Sequence, residues 1–101
     1  MDEAIDLQVW LEKDSTKNPA IVAPYIRSAI SQSAQYEIHA QQKSAAGIAS
    51  INTSGEIELV AEQSTRLSNI SFSPQPQAHC FIEVTINLSK QGRNTYRFDC
   101  P

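Results

Sequence analysis

Strict alternation of apolar and polar residues is the feature that most limits what this chain can fold into. In residues 35–41, QYEIHAQ, the side chains of Tyr36, Ile38 and Ala40 alternate with polar ones, and FIEVTINL at 81–88 shows the same period. A period of two places successive side chains on opposite faces of a β-strand. No stretch keeps helical spacing over three turns. The sequence therefore predicts an all-β protein.

Turn-forming residues divide the chain into seven or eight short strands. KDSTKNP, NTSG and SPQPQ each separate two apolar segments, and Gly55 in the second of them is expected to supply a positive φ. Short strands with frequent turns predict an immunoglobulin-like antiparallel β-sandwich, formed by residues 1–101 as a single domain. A small β-barrel is the alternative, although three glycines are few for a tightly coiled barrel.

Two segments are expected to depart from regular strand pairing. Pro24 lies in the apolar segment AIVAPYIRSAI, residues 20–30. Because proline cannot donate to a ladder, this strand is expected to lie at a sheet edge or to be bulged. In RLSNISF, residues 66–72, the apolar residues break strict alternation, which predicts a bulge.

The only two cysteines, Cys80 and Cys100, stand at the open ends of the last predicted hairpin. If the numbers of facing residues sum to 180, the two lie directly opposite, within reach of a disulfide. A three-residue loop ending at Gly92 would make the sum 182 and leave them diagonal. A disulfide would stabilise the fold by roughly 3 kcal/mol and would indicate an oxidising compartment. Two reduced, buried cysteines are the alternative.

Charge is unevenly distributed along the sequence. Residues 1–14 hold five acids and one base, whereas residues 84–98 hold three bases and no acid. Those three bases, Lys90, Arg93 and Arg97, would form a basic hairpin that attracts an acidic partner, or simply an ordinary solvated surface. The net charge of −3 argues against general nucleic-acid binding, and no apolar run is long enough to insert into a membrane.

No catalytic or metal-binding pattern is recognisable. His39 and His79, taken with the two cysteines, match no recurrent zinc-ligand spacing. No C-x-x-C, no nucleophile motif around a serine and no glycine-rich phosphate loop occurs. The residues themselves therefore predict a β-domain that is not an enzyme and that uses no metal or cofactor.

The segment EIELVAEQSTRLSNISFSPQPQAHCFIEVTINLSKQG, residues 56–92, resembles the CsgC and CsgH family of curli-biogenesis proteins. The resemblance lies in a strand and spacer followed by L-S-x-I-S, in the FIEVTINLSKQG strand and turn, and in a proline-bearing second strand with the third strand after it. Together these features cover about residues 5–98. It implies an immunoglobulin-like sandwich exported to the bacterial periplasm after removal of a signal peptide. CsgC of enteric bacteria has a C-x-C in its third strand. The matching positions here are Ala34 and Tyr36, as in CsgH, which also lacks the pair, so no redox role carries over.

The resemblance also implies a function. Such proteins keep the curli major subunit, or a similar secreted amyloid protein, from forming fibres at less than one inhibitor per subunit. A positive patch is thought to guide them to the acidic client, and a monomer without cofactor is expected. The candidate client-binding residues are Lys90, Arg93 and Arg97, followed by Arg66, Arg27 and Lys43. The alternative is a non-catalytic immunoglobulin-like adhesion or pilus-associated module that binds by adding a strand at an open edge.

Overall fold

The described residues form seven β-strands, arranged in two antiparallel sheets. The computed structural model describes residues 7–17, 20–72, 77–88 and 92–100. The strands are β1 Leu7–Asp14, β2 Ile21–Ser28, β3 Gln32–Ser44, β4 Gly47–Leu59, β5 Ser64–Arg66, β6 His79–Leu88 and β7 Gly92–Asp99. The smaller sheet has the order β1-β2-β5 and the larger β4-β3-β6-β7. The prediction of an antiparallel all-β sandwich is confirmed, and the described residues hold no helix that could cross a membrane.

The core lies between the two sheets and follows the predicted alternation. Even-numbered residues of β3 and β6 point inward, and Ile38, Ile82 and Ile86 are at most 1% exposed. From the smaller sheet, Ile26 is fully buried against them. The buried cluster consists of Ile26, Ala34, Ile38, Ala40, Leu59, Leu67, Ile70, Ile82, Val84, Ile86 and Leu88. Most inward side chains are apolar, with Ser28 a buried polar exception, and most polar side chains lie on the opposite faces of the sheets.

The expected turn at NTSG is wrong. Strand β4 runs unbroken through these residues, and Gly55 faces Tyr36 of β3 in the regular register. The chain instead reverses at residues 45–46, ahead of Gly47, which has a φ of +126°. A Cβ on Gly55 would lie 2.9 Å from the Tyr36 hydroxyl oxygen and 3.1 Å from its ring carbon Cζ. Glycine is present here because an aromatic ring lies over the strand, not because the chain turns.

We expect Gly55→Val to lower the free energy of unfolding by about 1–3 kcal/mol, because the new side chain must displace the Tyr36 ring. Urea unfolding followed by circular dichroism measures this loss. Ser54→Val is the matched control: it puts the same side chain on the neighbouring residue of β4, which is exposed, and should change stability by less than about 0.5 kcal/mol. Equal losses in the two variants would contradict the packing role of Gly55.

Strand β2, which contains Pro24, is the central strand of the smaller sheet, so the expected edge position is wrong. The expected bulge does occur, in the segment that pairs with β2. Tyr25 pairs with Arg66, and Val22 pairs with Ile70. Between these two pairs β2 moves by three residues, whereas the segment that faces it moves by four. One residue is therefore extra, which defines a bulge. Because it lies opposite Pro24, the missing proline amide does not interrupt a regular ladder.

The last hairpin adopts the register whose facing residue numbers sum to 180, with Ile82 opposite Phe98. Cys80 and Cys100 form a disulfide with a Cα–Cα distance of 5.3 Å, and the Cys100 amide donates to the Cys80 carbonyl at 3.1 Å. Gly92 has the expected left-handed conformation, with a φ of +76°. The predicted disulfide is confirmed. Residues 89–91 of the connecting loop lie outside the described part of the chain.

Candidate functional site

The outer face of the larger sheet carries acidic residues at its β4 edge and arginines at its β7 edge, with Glu37 and Glu83 on the two strands between them. Because side chains alternate, Glu56 of β4, Gln35 of β3, Asn87 of β6 and Arg93 of β7 stand in one row across this face. We call this surface the large face. Its acids on β4 are Glu56 and Glu58, and on β7 Arg97 follows Arg93 on the same side of the strand, ahead of Asp99. Two of the candidate client-binding residues therefore lie together at one edge.

Arg97 is held in place by two neighbours on β6. Its Nη1 donates to Glu83 Oε2 at 3.0 Å, and its guanidinium carbon lies 4.0 Å from the centre of the Phe81 ring. The His39 ring is tilted against Phe81, with 5.6 Å between the ring centres. The Arg97 side chain is still 59% exposed, so its charge is partly balanced by Glu83 but remains accessible to a partner.

Arg93 has a freer charge than Arg97. It is exposed and faces the neutral Asn87, and no ion pair within the described residues includes it. Lys90, two positions before β7, lies outside the described residues. Lys43 is on the large face too, in a row with His79, but eight residues along β3 from the row of Arg93, or about 27 Å.

The remaining candidates, Arg27 and Arg66, lie on the outer face of the smaller sheet, on the other side of the sandwich. Arg27 forms an ion pair with Glu62. Arg66 Nε donates to the Tyr25 hydroxyl at 3.0 Å, and its Nη1 donates to Asn69 Oδ1 at 3.1 Å. Both side chains are thus engaged locally. The six candidates do not form one patch, because the two sheets face opposite ways.

Asp14 adds a negative charge near Arg66. Hydrogen bonds from the Thr16 hydroxyl, at 2.5 Å, and from the Thr16 amide, at 3.0 Å, lower the pKa of the Asp14 carboxyl. Attraction by Lys17 and Arg66 lowers this pKa further. Asp14 therefore stays ionised at neutral pH and offsets part of the positive charge at this end of the smaller sheet.

Aromatic residues on both outer faces were missed by the sequence analysis. Trp10 stacks on Tyr25 across β1 and β2, with ring centres 5.8 Å apart. On the large face, Phe81 lies beneath Arg97. The contact between Arg97 and Phe81 could have been predicted from the register in which facing residue numbers sum to 180. That register places Glu83 opposite Arg97, with Phe81 two residues away on the same face. It was missed because the sequence left two registers open.

Neither a metal centre nor an unsatisfied polar group stands out in the part of the chain that the structure describes. Those residues contain no group of three or more His, Cys, Asp or Glu placed to hold a metal ion. Their buried side-chain nitrogen and oxygen atoms all have hydrogen-bond partners. The features of the described surface that could engage another molecule are its charges, its rings, its strand edges and the exposed aliphatic side chains of Ile30, Ile48 and Val60.

Two solved structures match this architecture over nearly the whole chain. CsgH of R. palustris has a TM-score of 0.75 and 15% sequence identity, covering 92% of this chain and 91% of CsgH. The chain has the CsgC/CsgH fold. The curli protein CsgC of E. coli also has a TM-score of 0.75, at 16% identity, over 92% of this chain and 98% of CsgC. No protein-family model matches the sequence, and no curated protein matches it.

Within the CsgC/CsgH fold, this chain places its cysteines in the last hairpin. Ala34 and Tyr36 of β3 face the core, and neither position carries a thiol. The two cysteines that the sequence contains are joined to each other across β6 and β7. The disulfide therefore braces the hairpin that carries Arg93 and Arg97, and leaves no free thiol for exchange.

Proposed function

We propose that this protein is a periplasmic, chaperone-like inhibitor that keeps the curli major subunit, or a similar secreted amyloid protein, from aggregating. The observation that carries the proposal is the CsgC/CsgH fold over 92% of the chain, at equal TM-score to both proteins. The sequence resemblance over about residues 5–98 implies the same activity. The disulfide supports the compartment, because disulfides persist in the oxidising periplasm.

Inhibition by transient electrostatic contact fits the geometry of the large face. Arg93 and Arg97, with Lys90 beside them in sequence, give the β7 edge a local positive charge on a protein of net charge −3. Such a patch raises the rate at which an acidic client is encountered, more than it raises affinity. Frequent, short-lived binding occupies the client's strand edges before they can pair with other client molecules to form a nucleus. The released inhibitor can then act on another client.

Thioflavin fluorescence of a purified amyloid client tests the proposal. We expect a clearly longer lag at about one inhibitor per twenty client molecules, because fast association and release let each inhibitor act repeatedly. An unrelated immunoglobulin-like domain of similar net charge serves as the control. An effect only near equimolar ratio would favour the adhesion or pilus-associated binding module and would count against the proposal, as would no effect.

A further inference from the structure

We infer that the free edge of β4 between Gly47 and Gly55 is a docking site for an extended, uncharged strand of the amyloid-forming client. These residues, GIASINTSG, are called the β4 edge. The inference rests on the proposed function and names where on the protein a client strand pairs. It differs from the basic residues of β7, which lie at the opposite end of the same sheet.

Strand β4 is the outermost strand of the larger sheet. All of its residues, from Gly47 to Leu59, face β3 on one side, and no described strand lies on the other. In an antiparallel ladder, alternate residues direct their N–H and C=O groups away from the partner strand. The β4 edge therefore presents a row of backbone donors and acceptors about 30 Å long to another chain.

The β4 edge lacks the features that block strand addition. Charged residues, proline, short length and bulges are the usual protections, and GIASINTSG contains neither charge nor proline. The two acids of β4 come after this segment. Glu56 accepts a hydrogen bond from Gln35 at 3.2 Å and Glu58 accepts one from Ser33 at 2.5 Å. Because both donors are on β3, the two carboxylates lean over the sheet and away from the open edge.

The other three described edges are protected. Strand β5 has only three residues. Strand β1 carries charge at each of its last three positions, residues 12–14. Strand β7 places Arg93, Arg97 and Asp99 along its length on the large face. Charges at these positions would be brought against an incoming strand, which disfavours pairing. Among the described strands, β4 thus offers the longest unprotected edge.

Exposure and side-chain chemistry indicate the occupant. The side chains of residues 47–50 are exposed on both faces of the sheet, so neither face hinders a chain that approaches this part of the β4 edge. On the large face the side chains of Ile48, Ser50, Asn52 and Ser54 are all uncharged. Ser50 and Ser54 are available for hydrogen bonds, whereas Asn52 Oδ1 already lies 2.6 Å from His39 Nδ1. Ladders of Ser, Thr, Asn and Gln pair favourably across strands. A charged residue in the incoming strand would find no opposite charge within 47–55, so an uncharged polar strand fits best.

A client strand docked on β4 would have one of its edges hydrogen-bonded to the larger sheet. The charged strand β7 lies at the far end of that sheet, three strands from β4. Three strand spacings are about 14 Å, so the docking edge and the basic residues are separate surfaces. Pairing with β4 occupies an edge that the client needs for fibre growth. The two surfaces can be altered independently.

Nuclear magnetic resonance of the ¹⁵N-labelled protein tests the inference. The probe is a synthetic uncharged peptide of alternating Thr, Asn, Ser and Gln, about eleven residues long to span the β4 edge. We expect shift changes and slower amide exchange confined to residues 47–55. Changes at β1 or β7 instead, or none at millimolar peptide, would overturn it. Protection of 47–55 without peptide, rising with protein concentration, would assign the edge to a second copy and also overturn it.

Ser54→Lys adds a charge on the large face at this edge and should weaken peptide binding by about tenfold or more. Thr95→Lys is the matched control, with the same charge added on the same face at the β7 edge, and should bind peptide like the wild type. The spectrum of each variant reports whether it is folded. Equal peptide affinity in a folded Ser54→Lys variant would contradict docking at β4.

The thioflavin assay separates failure of the inference from failure of the proposed function. If the wild type inhibits fibres at low ratio and Ser54→Lys inhibits equally well, docking at β4 is wrong and the proposed function stands. If the peptide docks at residues 47–55 but the wild type does not inhibit fibres, the proposed function is wrong and the docking site stands.

Discussion

Replacing Cys80 and Cys100 together by alanine is expected to lower the free energy of unfolding by about 3 kcal/mol. The disulfide closes a loop of sequence separation 20 that contains all of the β6–β7 hairpin except His79, and so limits the freedom of the unfolded chain. For a domain of about 100 residues, a loss of this size lowers the melting temperature by roughly 12–24 °C. The variant should still fold, because β6 also pairs with β3 along its full length.

Thermal and urea unfolding of the oxidised wild type, the reduced wild type and the double alanine variant measure this effect. The matched control is Thr85→Ala with Thr95→Ala, which removes a 3.1 Å hydrogen bond across the same hairpin without changing loop closure. It should cost less than about 1 kcal/mol. If the cysteine variant lost no more stability than this control, the disulfide would not be a major brace of the fold.

Reversing the charge of Lys90, Arg93 and Arg97 to glutamate is expected to shorten the lag of client fibrillation. Each reversal changes the charge by −2, so the net charge goes from −3 to −9. Removing a steering patch lowers association rates by tenfold or more, so about tenfold more variant should be needed for the same delay.

Wild-type inhibition should also weaken between about 50 and 300 mM salt, because screening shortens the range of the attraction.

The triple variant has a second effect, because glutamate at position 97 would lie beside Glu83, which accepts a hydrogen bond from Arg97 at 3.0 Å. A variant that keeps Arg97 is therefore needed. Lys90→Glu with Arg93→Glu leaves that contact intact and isolates the effect of charge. Arg27→Glu with Arg66→Glu makes the same charge change on the opposite face and should leave inhibition near wild type. An unchanged lag with the folded triple variant, or a loss only in the opposite-face variant, would rule out the β7 edge.

Features set by neighbouring residues in the chain could be predicted from the sequence, whereas features set by contacts between distant residues could not. The inward positions of Ile38, Ile82 and Phe98 follow from alternation alone, because strand geometry puts every second side chain on one face. The shared outward side of Arg93 and Arg97 follows for the same reason. NTSG was misjudged because its local preference is for a turn, while the Tyr36 ring that explains Gly55 comes from another strand.

By itself, the sequence determined the all-β class, the faces of the longest strands and the position of both cysteines at the ends of one hairpin. Only the tertiary structure decided that Pro24 lies in a central strand, that Arg27 and Arg66 face away from Arg93, and that β4 is an open edge. The reason is physical: alternation sets which face a side chain takes, whereas strand order is set by packing between residues far apart in the chain.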